Sequence, residues 1–446
     1  MTTPTTPPAT PGMIVVVSCV DIGTLPTHKV TGKPVIPETE QRKDQMDDFN
    51  HPRIRRALIL TALQTKYPNN IVFTQAKEPA NDLSLYESVH TADGLLLFLS
   101  EAWNQWDSLG PQGQDPMCVL PSTSSTASGT ATQELPLQQQ SQSLSPPFVP
   151  GNTPLPRDPY QRPSNHVMGK IGYYCHDTCT PIFQGLLHEL LVDAAVVELA
   201  VRTALQPPPP VAGAVAAGSN AGTNANAPLV ARTVYAIPTH PGHHAAAGSF
   251  GGYCYTNHAA AAARLFQKSA AGAAAGTRHK VAVLDIDYHA GNGTASIFYQ
   301  DPTVLVVSIH CHPDYDYPFH HGFADQTGAG AGTGATLHLP LPPQTTWQQQ
   351  YRTALQQAVQ AISDFGAEAL VVSMGLDTYD KDPCAIRRAG FCLQGDDYVA
   401  MGETIGGGLA SHVPTVFLQE GGYRMDKIGE AAADVVYGFT SARAQK

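Results

Sequence analysis

Basic residues are scarce in this chain. Lys and Arg number 26 against 37 Asp and Glu, a formal net charge of -11 over 446 residues, and no stretch forms the basic stripe that a nucleic-acid scaffold needs. Direct nucleic-acid binding is therefore not expected, while cationic partners are mildly favoured by long-range attraction. Long apolar runs are missing as well. MIVVVSCV at 13–20 is too short to span a bilayer, and the uncharged MTTPTTPPATPG ahead of it lacks the basic lead of a signal peptide. Cysteine is present but thinly spread, eight residues without the density of a secreted disulfide scaffold, so reduced thiols are expected. CHDTC, which holds Cys175 and Cys179, has the look of half a zinc site, but no second pair follows and free thiols are the better reading. There is no basic nuclear-import run. Cytoplasm is the expected location, with no membrane association and with the nucleus open through a partner.

What is present is enough apolar sequence, 42 % of residues, for a large core. Three polar or low-complexity segments stand apart from it: a tail at 1–12, a Ser/Gln/Pro-rich stretch at about 110–165, and QPPPPVAGAVAAGSNAGTNANAP at 206–228. The periodic apolar segments resume in the same style after each, so the last two read as surface insertions in one domain over 13–435, followed by a tail at 436–446. Short β-branched runs alternate with longer amphipathic ones. Strands are expected at 13–20, 70–75, 233–238, 280–288, 303–310, 368–376 and 414–421, and helices at 51–67, 84–103, 181–205, 257–268, 345–365 and 396–410. The strands are nearly continuous in Val, Ile and Leu, which a parallel sheet covered on both faces requires. The fold class is α/β with a doubly wound sheet.

The polar residues collect where these strands end, and in open parallel sheets that is where the ligand crevice lies. In VLDIDYHAGNGT, Asp285, Asp287 and His289 are spaced i, i+2, i+4 and so point the same way in an extended chain. Two carboxylates and an imidazole on a dry rim repel and lose solvation unless a cation lies between them. A single Asp at a strand end is more often a helix cap, and a single His more often a satisfied polar residue. Together with Asp377, however, Asp287 and His289 make one nitrogen and two oxygen ligands, leaving the open fourth position of a catalytic zinc site. Water held there has its pKa lowered toward ~7, which makes amide or ester hydrolysis the natural chemistry.

Five stretches in order, PGHHAA (241–246), GGYCYTNHAAAAA (251–263), DIDYHAGNGT (285–294), SMGLDTYDKDP (373–383) and QEGGY (419–423), resemble the zinc-dependent histone deacetylase family. That family includes the acetylpolyamine amidohydrolases. The resemblance spans about 13–435 and implies a single arginase/deacetylase-like domain, with a mainly parallel eight-stranded sheet and helices on both faces. It implies that Asp287, His289 and Asp377 bind Zn2+, and that tandem His243 and His244 lie beside the reacting water as base and charge-tuning partner. Asp285 would orient His243, and Asn292 would orient His244. Some relatives carry Asp at the latter position; an amide stabilises an imidazolium less, so His244 is expected to stay closer to neutral and to be the better base. Tyr423 would donate to the oxyanion. A structural potassium ion (K+) would lie against Asp285, Asp287, His289 and Ser308.

For the substrate tunnel the resemblance points to Tyr253, after Gly252, and to His320 in YPFHHG, with neighbouring Phe319 as the alternative inward-facing ring. Cys384 stands where polyamine-preferring eukaryotic relatives carry a Glu, which weakens the polyamine case. His310, His312 and His321 are read as structural or solvent-facing. The leading expectation is removal of acetyl or other acyl groups from lysines of histones or other proteins. The alternative is hydrolysis of acetylated polyamines or other small N-acyl amines, and hydroxamates are expected to bind the zinc in either case. A weakly active acyl-lysine reader whose insertions recruit protein partners is disfavoured by Tyr423. An arginase-like ureohydrolase is disfavoured by the lack of a second carboxylate cluster.

Overall fold

The computed structural model describes residues 14–18, 52–68, 71–114, 116–119, 145–151, 160–206, 232–269, 279–385 and 390–446. The tail at 1–12, nearly all of the segment at 206–228 and the middle of the segment at 110–165 lie outside them. Eight strands form one sheet: β1 (Ile14–Ser18), β2 (Ile71–Gln75), β3 (Thr233–Ala236), β4 (Val281–Asp285), β5 (Val304–Cys311), β6 (Thr336–Leu341), β7 (Ala369–Met374) and β8 (Thr415–Gln419). Their order is β2-β1-β3-β8-β7-β4-β5-β6 and every pairing is parallel. β6, TLHLPL, was not expected from the sequence. It lies at the sheet's edge, where Pro340 is tolerated because an edge position can do without its N–H.

Alternation along the strands divides the core in two. Val15, Val17, Val234, Val283, Val306 and Val371 face one apolar layer. Ile14, Val16, Tyr235, Leu284, Val307 and Val372 face the other. Residues on both faces of each central strand are excluded from water, which explains the unbroken aliphatic runs. The first layer is closed by α2 (Leu97–Ser108), α3 (Val167–Tyr174), α4 (Leu186–Ala204) and α5 (His258–Lys268). In α5 the alanines 259–263 are all buried, and Asn257 caps the helix by accepting from the Ala260 N–H. The second layer is closed by α1 (Pro52–Lys66), α7 (Arg352–Phe365), α8 (Asp396–Gly408) and α9 (Ile428–Ala444). A short α6 (Asn292–Phe298) follows β4.

Among the differences from the ranges read in the sequence, three bear on the core. The expected helix at 84–103 is a 3-10 turn at Ser84–Ser88, a π turn at Ala92–Leu96 and then α2. Thr91 accepts from the Leu95 N–H and starts a separate helix there. At the other end α9 continues through 436–444 with Val436, Phe439 and Arg443 buried, so these residues belong to the core and not to a tail. The reason is close backbone packing: a Cβ on Gly402 would lie 1.9 Å from the Val435 carbonyl, and one on Gly438 2.0 Å from that of Val399. Third, the ends of the segment at 110–165 are tied down, with Phe148 stacked on Trp106 at 4.5 Å and bridged to Ile182. No helix among the described residues is long and apolar enough to cross a membrane.

Candidate active site

The four strands adjacent in the middle of the sheet, β3, β8, β7 and β4, each deliver a polar loop to one rim. β3 leads to His243 and His244, β4 to Asp285, Asp287 and His289, β7 to Asp377, and β8 to Glu420 and Tyr423. The order in space is not the order in sequence, and so residues 178 positions apart, Gly242 and Glu420, meet within hydrogen-bonding distance.

Asp287, His289 and Asp377 each offer a ligand atom, all within 4.8 Å of one another. His289 Nδ1 is 3.0 Å from Asp377 Oδ2 and 3.3 Å from Asp287 Oδ1. The remaining carboxylate oxygens are held by backbone donors: Gly421 N donates to Asp287 at 2.9 Å and Tyr288 N to Asp377 at 3.0 Å. Space for this is made by glycine, since a Cβ on Gly375 would strike Asp287 Oδ2 at 1.9 Å and one on Gly421 would meet both carboxylates under 3.0 Å. Two carboxyl groups this close and this dry do not both keep full charge. Burial and the neighbouring Asp287 push Asp377 up to about 7, while against its own burial Asp287 is held low by His243 and His289. A dication relieves that conflict, and one nitrogen with two oxygens suits zinc. The donor set fits the metal.

His243 and His244 differ in their surroundings. His243 Nδ1 is 2.9 Å from Asp285 Oδ2 and its Nε2 is 3.7 Å from Asp287 Oδ1. Burial alone would depress it, but the charges of Asp287 and Asp285 outweigh that and raise it to about 10. His244 Nδ1 meets Asn292 Oδ1 at 2.6 Å. Burial, and the cationic His243 and His289 alongside, push His244 below its ordinary value. One imidazole is thus kept charged and its neighbour neutral, with Nε2 as the remaining nitrogen of His244. Asp285 and Ser308 are register partners on β4 and β5, and the Ser308 hydroxyl bonds to His310 Nδ1 at 2.7 Å.

A cavity of about 320 Å³ opens over these groups, lined by Asp177, Cys179, His243, His244, Gly252, Tyr253, Asp287, His289, Asp316, Tyr317, Phe319, Asp377, Cys384 and Tyr423 among others. Gly252 and Tyr253 both adopt left-handed backbone, φ 58° and 65°. The glycine is required because a Cβ would run into the His244 ring at 2.3 Å. The Tyr253 ring then stands edge-on to Tyr423, 6.2 Å between centroids. Tyr423 is 5 % exposed, and the buried Arg55 guanidinium lies 5.5 Å from its ring centroid. Cys384 is in the wall, its thiol pushed up by burial and the nearby Asp382 and Asp377.

His320 is a correction: it is exposed and absent from the cavity lining, whereas Phe319 lines it. The ring that stands against His244 and His289 is Tyr317, with centroids 4.8 Å and 6.2 Å away, and the sequence did not single it out. Loop residues carry no periodicity that would align them. Two further residues lay inside quoted motifs without being given a role. Glu420 accepts from Gly242 N and His243 N and from the Ser373 hydroxyl, fixing the start of the tandem-histidine loop. Asp382 accepts from Tyr423 N at 2.7 Å and Arg424 N at 2.9 Å, fixing the tyrosine. His310 is fully buried between Ser308 and the Gly322 carbonyl, a structural role. Of the CHDTC pair, Cys175 is buried with its thiol against the Asp177 carbonyl at 3.3 Å, and Cys179 is exposed.

The family follows from comparison with known proteins. Residues 51–439 match the histone deacetylase domain. The chain belongs to the histone deacetylase family. An acetylpolyamine amidohydrolase of Pseudomonas aeruginosa is 34 % identical over 352 residues, covering 79 % of this chain and 81 % of the relative. One from Mycoplana ramosa is 34 % identical over 354 residues, 78 % and 81 % of the two chains. An Arabidopsis thaliana histone deacetylase is 34 % identical over 199 residues, 44 % of this deacetylase-family chain and 50 % of its own. The fold is shared with a crystal structure of an acetylpolyamine aminohydrolase from Burkholderia pseudomallei, with a TM-score of 0.64 at 22 % identity, covering 96 % of this chain and 99 % of that one.

Proposed function

We propose that this deacetylase-family protein is a zinc-dependent amidohydrolase whose substrates are acetylated polyamines or similar small N-acetyl amines. The observation that carries the chemistry is the convergence of Asp287, His289 and Asp377 within 4.8 Å beside a charged and a neutral histidine. Zinc at that set supplies Lewis-acid polarisation of the amide carbonyl and a lowered pKa for the attacking water. The chain's own residues do the rest. Neutral His244, oriented by Asn292, takes a proton from the water. His243, kept protonated by Asp285, provides positive charge beside the developing tetrahedral centre. The Tyr423 hydroxyl donates to the oxyanion, and the proton taken by His244 is returned to the leaving amine. A K+ ion against Asp285, Asp287, His289 and Ser308 is part of the same proposal; the pairing of Asp285 with Ser308 across β4 and β5 supports it.

Substrate choice departs from the leading expectation of the sequence, protein lysine. The relatives that match most of the chain are named for acetylpolyamines, and the histone deacetylase relative matches under half of it. Asp177 and Asp316 both line the cavity, so an ammonium distal to the acetamide meets negative charge there. Neutral Cys384 offers none. Purified enzyme assayed side by side on N-acetylspermidine and an acetyl-lysine peptide, with and without a hydroxamate chelator, tests the reading. A higher kcat/KM on the polyamine supports it, and a clear preference for the peptide overturns the substrate assignment.

A further inference from the structure

Tyr317 has a feature that a simple aromatic wall does not need. Its hydroxyl lies 2.7 Å from His176 Nε2, and the two share a hydrogen bond across 141 positions of sequence. The rings are 6.3 Å apart and nearly parallel, 22° between planes. His176 comes from the CHDTC loop that follows α3, and Tyr317 from the loop that follows β5. Both loops border the cavity, through Asp177 and Cys179 on one side and Asp316 and Phe319 on the other. His176 is itself pinned. Its backbone N–H donates to the Phe250 carbonyl at 2.9 Å, and its ring lies so close over Gly251 that a Cβ there would meet Nε2 at 2.3 Å. A fixed imidazole therefore anchors the outer end of Tyr317, while the inner face of that ring meets His244 edge-on at 4.8 Å.

We propose that the His176–Tyr317 hydrogen bond is a latch that joins the two loops and sets the width of the substrate slot, making this pair a specificity-determining element for linear, unbranched amine stems. With its hydroxyl committed to His176, Tyr317 presents only the ring to the slot. Held at both ends, the ring cannot rotate aside for a thicker stem, and a thin polymethylene chain binds without first having to order the wall. Neither residue touches the reacting carbonyl in this scheme, so both are positioning residues, and the inference rests on the amidohydrolase reading given above.

The test uses the full-length zinc enzyme with Tyr317→Phe, His176→Ala, His176→Gln and the double variant Tyr317→Phe/His176→Ala. Substrates are a linear N-acetyl diamine and an N-acetyl amine with a branched stem. Loss of one such hydrogen bond is worth about 1 kcal/mol, so KM for the linear substrate should rise roughly five-fold in each single variant, with kcat changing less. The double variant should be no worse than either single, His176→Gln should restore most of the loss, and the preference for linear over branched stems should fall. KM values that stay at the wild-type level in Tyr317→Phe, or effects that multiply in the double variant, overturn the latch. Wild-type enzyme inactive on both amines would instead overturn the functional reading, which keeps the two failures apart. Tyr317→Phe removes one oxygen atom only, so the test survives if His176→Ala does not fold.

Discussion

Asn292 offers the sharpest handle on which histidine is the base. Its Oδ1 is 2.6 Å from His244 Nδ1 in a part-buried pair. In Asn292→Asp the shape is kept and a full negative charge takes the place of an amide dipole. An opposite charge at that range raises a histidine pKa by about 1–3 units. Coulomb's law gives the same scale, about 4 kcal/mol at 4 Å for an effective dielectric of 20, an upper bound before the carboxylate's own loss of solvation is subtracted. The sign follows from the role. His244 acts as a base only when neutral, and in the native chain burial and the positive charge of the neighbouring His243 hold its pKa down, which favours the neutral base. Raising that pKa moves the acidic limb of the pH profile of kcat/KM upward by the same 1–3 units while activity on the alkaline side of the limb is largely kept. The assay is kcat/KM on an acetylated amine from pH 5 to 9.5 for both proteins, with zinc content measured alongside. An acidic limb that does not move, or that shifts downward, refutes the assignment of His244 as the base.

Three other outcomes are expected. Asp377→Ala or Asp287→Ala should lose both bound zinc, measured by mass spectrometry of dialysed protein, and turnover; an enzyme that keeps its turnover after either change contradicts the ligand set. Tyr423→Phe should retain zinc and lose on the order of 10²-fold in kcat with a smaller change in KM, and a negligible loss would show that another group serves the oxyanion. Acid should destabilise the fold through His90, which is held neutral by burial with a pKa lowered to about 4, its Nε2 accepting from the Asn257 N–H. A histidine held below its unfolded value of about 6.5 contributes stability that is full above that pH and lost as pH falls toward 4, here about 3 kcal/mol. His90→Gln should therefore flatten the fall in Tm between pH 6.5 and 4, and an unchanged slope would refute the contribution.

The composition of the strands and the residues at their ends settled a great deal without coordinates. Unbroken aliphatic runs separated by amphipathic segments leave a parallel, two-sided sheet as the way to bury every residue, and that is the sheet observed. The close spacing of Asp285, Asp287 and His289 made a shared charge legible locally, although β4 ends at Asp285 and Asp287 and His289 lie in the bend beyond it. Long-range partners in loops were not. Tyr317 and His176 are 141 positions apart and meet only because the loops after β5 and α3 converge over the same crevice. His320, three residues along, is exposed for the same reason: loop direction is set by what the loop packs on and not by a repeat in its sequence. The continuation of α9 past residue 435 depended on glycines of two helices meeting backbone to backbone, a fit decided by the partner's shape. Local sequence determined which residues are buried and which carry charge; only the tertiary structure decided which of them touch, because strand order in the sheet and loop packing are set by the whole core at once.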